Sequence, residues 1–183
     1  LKNLYTASAT AQSGYLYARV LQKEHAFSRA TDVANNVLKT QPDHVNTHLL
    51  LANMLMTQGK FEQAKRHCVA LIGNTSLLTA STCVLDVQSQ QGKLSESYHA
   101  LVKLTQNKNS SLATKHVLSE MAFRLNKFTR AQQHINNIDL NTAPVSLIVL
   151  WADIQLQQNN PERVLNTLGK LANSHSSLED AIL

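Results

Sequence analysis

A fivefold internal repeat is the feature that most restricts how this chain can fold. Five short segments of one pattern recur along its 183 residues: KEHAFSRA, QGKFEQAK, QGKLSESY, LNKFTRAQ and QNNPERVL. A small or apolar residue closes the pattern each time, and successive closing residues lie 33 or 34 positions apart; they are Ala30, Ala64, Ser97, Ala131 and Val164. Because independent loops would not keep such a register, we predict an array of similar units, each stacked on the next.

Each unit is predicted to be a helix, a short turn and a second helix. Apolar residues return at helical spacing before the turn, as in LLLANMLM at 49–56. Gly and Asn tolerate the left-handed conformation that ends a helix, and the residues at the five turns are His25, Gly59, Gly92, Asn126 and Asn159. First helices are expected near 11–24, 45–57, 78–90, 111–124 and 144–157. Second helices are expected near 27–40, 61–73, 94–106, 128–139 and 161–174, and no strand is predicted.

Composition supports a folded helical chain and excludes several other classes. Hydrophobic residues make up 43%, enough to build a core, while 5 Gly and 3 Pro are too few for a turn-dense all-β or collagen-like chain. No apolar run approaches the roughly 18 residues of a membrane-spanning helix, so no direct membrane insertion is predicted. The net charge of +5 is modest, and the basic residues are spread over turns and second helices instead of clustering beside aromatic rings. Nucleic-acid binding is therefore not predicted.

The repeat length and the helix-turn-helix unit resemble the tetratricopeptide repeat (TPR) family. Small residues stand where the family's paired helices cross, at Ala18, Ala52, Ser119 and Ala152 on first helices and at Ala30, Ala64, Ser97 and Ala131 on second helices. Small side chains let two helix backbones approach closely. The repeats are degenerate, since the family's tryptophan-led opening is missing, Leu85 replaces a small residue and the closing proline survives only as Pro42. The resemblance implies an all-α fold, a right-handed α-α superhelical solenoid of about five TPR-like repeats.

The expected organisation is a single TPR-like repeat domain over residues 1–183. Its repeats are expected at about 11–43, 44–76, 77–110, 111–143 and 144–175. Residues 1–10 and 176–183 are interpreted as partial flanking or capping helices, the second of them starting with Ser before an acidic first turn. We therefore expect the chain to be a fragment of a longer array.

The resemblance also implies a partner-binding groove on the concave face, lined by the first helices, where extended peptides or a partner's helix bind. One column of five positions there holds three of the chain's 12 acidic residues, and a neighbouring column is partly apolar. The predicted partner-binding residues are Arg19, Asn53, Met56, Asp86, Glu120, Phe123, Asp153 and Leu156. Apolar anchors beside charges are typical of peptide grooves. An equally open alternative is that these acids form a solvated helix face.

One mode of peptide binding known in the family is not predicted. Some members clamp a partner's C-terminal carboxylate with Lys or Arg and Asn on successive first helices. Asn53 matches one of these positions, but Tyr15 and Leu49 stand where the first cations belong.

No catalytic, cofactor-binding or metal site is predicted. His44 and His48 are four residues apart, as in some zinc sites, but no carboxylate or cysteine follows at ligand spacing, so a packing role is favoured. Cys68 is interpreted as a buried structural thiol, and a bridge to Cys83 is left open. The sequence contains no Gly-rich phosphate loop, nucleophile elbow or paired acidic site. We therefore expect no cofactor and no enzymatic activity.

The leading functional hypothesis is a non-catalytic scaffold that binds a peptide or helix of a protein partner. The alternative is a structural spacer or self-association segment inside a larger multi-repeat protein. The degenerate Gln-, Asn- and Ser-rich repeats are similar to those of bacterial envelope arrays that support surface-polysaccharide export or pilus assembly. That similarity favours the bacterial envelope or periplasm over the cytoplasm.

Overall fold

Helix pairs make up nearly all of the chain that the computed structural model describes, namely residues 10–106 and 109–179. The ten helices of this part are α1 Ala11–Lys23, α2 Phe27–Thr40, α3 Val45–Thr57, α4 Phe61–Val69, α5 Leu77–Gln90, α6 Leu94–Thr105, α7 Leu112–Arg124, α8 Phe128–His134, α9 Val145–Gln157 and α10 Pro161–Glu179. The described residues contain no strand, and their one β-contact is an isolated bridge between Ile72 and Thr75. The all-α prediction is confirmed.

The chain divides into two compact units, Leu1–Gln106 and Asn107–Leu183, called unit 1 and unit 2. Unit 1 holds the pairs α1–α2, α3–α4 and α5–α6, and unit 2 holds α7–α8 and α9–α10. Within unit 1, α3 packs on both helices of the preceding pair, and α5 does the same to α3 and α4. Within unit 2, α9 contacts both α7 and α8. Each unit is therefore a stack of helix pairs.

The turn inside every pair has the left-handed residue that the sequence predicts. Positive φ angles of 58–90° occur at all five expected positions: His25, Gly59, Gly92, Asn126 and Asn159. In each turn the next residue donates its backbone N–H to the carbonyl five positions earlier, over 2.8–3.1 Å. This 6→1 bond is the Schellman closure, which satisfies a carbonyl left open by the helix end. The same turn repeated five times therefore sets the same helix-pair geometry.

The small residues predicted at the helix crossings are buried, apart from half-buried Ala152. Ala18, Ala30, Ala64 and Ala131 have no exposed surface. Two crossings carry a serine instead, and these two hydroxyls differ. Ser119 Oγ donates across the crossing to the carbonyl of Ala131 over 2.9 Å, whereas the buried hydroxyl of Ser97 has no hydrogen-bond partner among the described residues.

Because of that difference, replacing serine by alanine is expected to change the free energy of unfolding in opposite directions at Ser97 and at Ser119. Ser97→Ala should raise the free energy of unfolding by about 1 kcal/mol, because it removes a buried polar group that lacks a partner. Ser119→Ala should lower it by about 1 kcal/mol, because a buried hydrogen bond is lost. Urea denaturation of both variants beside the wild type measures the two changes. A destabilised Ser97→Ala variant would contradict the conclusion that the Ser97 hydroxyl has no hydrogen-bond partner.

Three helix ends differ from the predicted ones. Helix α4 ends at Val69 instead of 73, and α8 ends at His134 instead of 139. Additional left-handed residues follow both ends, Gly73 at φ 89° and Asn137 at φ 62°, and these residue types favour such a stop. Helix α10 runs unbroken through Glu179, so the predicted new helix does not begin at 176. Residues 1–9 and 180–183, which carry the rest of the flanking-helix prediction, lie outside the described residues.

Candidate functional site

In unit 1 the predicted groove residues lie on three successive first helices. Arg19 on α1 and Asn53 on α3 are exposed, and Asp86 on α5 is half-buried. Gln22, which precedes Met56 and Ser89 in the partly apolar column, donates its side-chain amide to Asn53 Oδ1 over 2.9 Å, so the two predicted columns meet between α1 and α3. The Arg19 guanidinium lies 5.7 Å from the centre of the Tyr15 ring, which holds it by a cation-π contact. This surface can offer hydrogen-bonding and charged groups to an extended segment.

In unit 2 the predicted residues lie on α7 and α9. Glu120 is half-buried and Asp153 is exposed, so two carboxylates belong to this unit. Phe123 is half-buried and makes an edge-to-face contact with Phe128, with ring centres 5.5 Å apart. Leu156 is 50% exposed. Of the two apolar groups predicted here, Leu156 is therefore the more available to a partner.

The apolar column is less open in unit 1 than its sequence suggests. Met56 is half-buried against the core cluster that α3, α4 and α5 share. Ser89 in the same column is buried and donates its hydroxyl to the Asp86 carbonyl over 2.7 Å. Met56 therefore serves the packing between repeats, while the Ser89 hydroxyl is bonded within its own helix.

The two cysteines form a disulfide, so the favoured expectation of a buried free thiol is wrong. Cys68 on α4 and Cys83 on α5 are bonded, with Cα atoms 5.4 Å apart, a normal separation for a disulfide. Cys68 has no exposed surface and Cys83 has 8%. The bond joins the second helix of one repeat to the first helix of the next, and therefore fixes the stacking between those two repeats.

A pair of histidines that the sequence analysis did not connect lies close to this disulfide in the chain. His48 on α3 and His67 on α4 face each other, with 3.0 Å between their Nδ1 atoms. His48 Nε2 lies 2.8 Å from the Pro42 carbonyl, which can only accept, so this nitrogen carries the proton. In a neutral His48 ring, Nδ1 is then the acceptor and His67 Nδ1–H donates to it. Burial lowers the pKa of His67, and the neighbouring His48 lowers it further.

Acid is expected to destabilise the protein through this pair. The unfolded His67 imidazole binds a proton near its ordinary pKa of 6.5, while the folded one binds it only at lower pH. The unfolded state thus holds more protons below about pH 6.5, and the free energy of unfolding falls as the pH falls. Burial also lowers the pKa values of His116 and His134, which adds to the effect. Urea midpoints between about pH 7.5 and pH 5.5 measure this loss. The acid-induced loss of stability should be smaller in the His67→Gln variant than in the wild type. An equal loss in both proteins would contradict the contribution of His67.

The described residues contain no group of three His, Cys, Asp or Glu side chains that could hold a metal ion. His44, which the sequence paired with His48, instead has its Nδ1 atom 2.8 Å from Thr47 Oγ1. None of the described helices combines the length and the apolar character needed to cross a membrane.

Unit 1 also has an apolar groove that sequence reasoning missed. It encloses about 330 Å³ between α5 and α6, and its larger apolar lining residues include Ile72, Leu77, Val84, Leu85 and Leu104. Ile72 and Leu77 are 59% and 70% exposed. The replacement of a small crossing residue by Leu85 was the one sequence signal that this region departs from the repeat pattern.

Known structures share this architecture. A tetratricopeptide repeat protein from Parabacteroides merdae is similar to the chain with a TM-score of 0.68 and 16% sequence identity, over 94% of this chain and 68% of that chain. No protein-family model matches the chain, and no curated protein is similar to it in sequence. Identity at this level supports the fold and leaves the partner open. The chain therefore has the tetratricopeptide repeat fold.

Proposed function

We propose that the protein is a non-catalytic scaffold that binds a peptide or helix of a protein partner on the concave face formed by its first helices. The supporting observation is the polar surface of α1, α3 and α5, where Arg19, Asn53 and Asp86 lie on successive first helices and the Gln22–Asn53 hydrogen bond links the columns. Taken by itself, unit 2 carries the predicted residues Glu120, Phe123, Asp153 and Leu156 on its own first helices. Charges along such a surface select a partner and set its register.

The Cys68–Cys83 disulfide supports an oxidising compartment for this interaction. Thiols are kept reduced in most cytosols, and disulfides persist in secreted and periplasmic proteins. The bond is buried between two repeats, which is typical of a structural bridge and not of a redox-active one. A bacterial envelope or periplasmic assembly is the setting that we propose.

Charge reversal tests the binding surface. The triple variant Asp86→Lys, Glu120→Lys and Asp153→Lys should weaken capture of the partner about tenfold or more, because like charges then oppose the partner's basic groups. Partners are first identified by pull-down with the wild-type chain and mass spectrometry, and affinity is then measured on the purified partner.

A matched control variant distinguishes an effect at this surface from an effect of the protein's net charge. Asp32→Lys, Asp43→Lys and Glu96→Lys change the charge equally at exposed positions outside the first helices. This control should keep wild-type affinity, and circular dichroism should show that both triple variants remain folded. Equal affinity of the two variants would exclude the concave-face proposal.

A further inference from the structure

The second and third repeats can be compared residue by residue, because one shift of 33 positions relates the crossing residues of both their helices. The shift takes Ala52 on α3 to Leu85 on α5, and Ala64 on α4 to Ser97 on α6. The apolar groove of about 330 Å³ lies between α5 and α6, and we call it the α5–α6 groove. The corresponding space in the second repeat therefore lies between α3 and α4.

Two aromatic rings fill that space in the second repeat. The imidazoles of His48 and His67 have their ring centres 5.2 Å apart, and His48 is only 6% exposed. The shift of 33 positions takes them to Ser81 and Ala100, which both line the α5–α6 groove. The second repeat thus fills the space with its own side chains, whereas the third repeat has no ring at either position.

The lining of the α5–α6 groove is apolar with two polar side chains. Val84, Leu85 and Leu104 line it, and Ser81 and Gln88 add a hydroxyl and an amide. All five residues are half-buried, so part of each side chain is available to a ligand. Small-molecule sites are typically concave and mostly apolar, with volumes of about 300–1,000 Å³ and a few polar groups that orient the ligand. The groove has these properties.

The α5–α6 groove lies away from the predicted peptide-binding column. Val84 and Gln88 are each two positions from Asp86, which places them about 200° around α5 from that residue. A peptide bound along the column that contains Asp86 therefore does not contact these two side chains. The occupant of the groove is then a separate molecule, small enough for its volume.

We propose that the α5–α6 groove binds a small planar aromatic molecule about the size of indole. Its rings take the space that His48 and His67 fill in the second repeat. The apolar side chains cover the faces of the rings, and Ser81 and Gln88 form hydrogen bonds with a polar atom of the ligand. Because this binding requires no protein partner, the inference goes beyond the proposed function.

Titration of the 183-residue chain with 5-fluoroindole, followed by fluorine NMR, tests the proposal. We expect saturable binding with a Kd below about 1 mM. Ser81→Trp fills the groove with a side chain of the protein and should weaken binding about tenfold or more. Ala100→Leu narrows the groove from α6 and should also weaken binding. This second variant should remain folded, because Ala100 is exposed and leucine is a good helix former.

The matched control is Ser95→Trp. It adds the same side chain to α6 at an exposed position outside the groove lining, and it should keep the wild-type affinity for 5-fluoroindole. Circular dichroism shows whether each variant is folded. Binding that does not saturate would overturn the proposal. Equal affinity of Ser81→Trp and Ser95→Trp, or wild-type affinity in a folded Ala100→Leu variant, would also overturn it.

A capped Ala-Trp-Ala peptide distinguishes a free aromatic molecule from an aromatic side chain of a protein partner. Peptide binding that is less than about tenfold tighter than 5-fluoroindole binding supports a free small molecule. Tighter peptide binding that Ser81→Trp weakens and Ser95→Trp does not would assign the groove to a partner's side chain. That result would overturn the choice of a small molecule.

Discussion

Reduction of the Cys68–Cys83 disulfide should lower the free energy of unfolding by about 3 kcal/mol, the value expected for closing a loop of about 15 residues. The two cysteines are 15 positions apart and join α4 to α5. The bond restricts the unfolded chain far more than the folded one, because α4 and α5 already pack together. For a chain of this size the loss corresponds to a fall in Tm of roughly 6–12 °C. Urea and thermal denaturation with and without reductant measure it.

The comparison of oxidised and reduced wild type isolates the covalent bond, since both forms keep the two sulfur atoms. The double variant Cys68→Ala and Cys83→Ala should resemble the reduced wild type and should not respond to reductant. Wild-type midpoints that reductant leaves unchanged would show that the bridge does not form in solution or does not stabilise the stack.

Truncation of Leu51 should lower the free energy of unfolding by about 2–5 kcal/mol. Leu51 on α3 is 1% exposed and belongs to the cluster in which α3 packs on α1 and α2, together with Ala18, Leu21 and Ala30. Leu51→Ala removes the apolar contacts of the side chain and leaves a cavity that rigid neighbouring helices fill only in part. Urea denaturation measures the change.

Two control variants distinguish the effect of a buried cavity from the effect of removing a leucine side chain at any position. Leu51→Met keeps most of the volume and should cost less than about 1.5 kcal/mol. Leu16→Ala makes the same truncation on α1 at a side chain that is 37% exposed, and it should cost much less than Leu51→Ala. Equal losses for Leu51→Ala and Leu16→Ala would contradict the observed packing of α3.

Most of the helix-pair architecture could be predicted because its signals are local and repeat in register. The left-handed turns at Gly59 and Asn126 follow from what those residue types tolerate a few positions after an apolar stretch. The crossings at Ala30 and Ala64 follow from the small volume that close backbones require. Each signal is weak in a single repeat, but its recurrence in five copies at one spacing distinguishes it from a chance pattern.

The sequence predicts on which helices the candidate site residues lie. It does not predict how deeply each of their side chains is buried. Asn53 and Asp153 are exposed on first helices, as the columns require. Met56 belongs to the same prediction, yet it packs against the core cluster, while its counterpart Leu156 remains half exposed. Equivalent sequence positions acquire different surroundings because burial depends on whether another helix covers them.

The sequence by itself determined the repeat, the order of the helices and the residues that end them, since each depends on neighbours within about one helical turn or on the 33–34-residue period. Only the tertiary structure decided that Cys68 bonds Cys83 and that His48 and His67 share a hydrogen bond. Each of these depends on distances between side chains of different helices. The angle and spacing at which whole helices pack set those distances, and no local pattern encodes them.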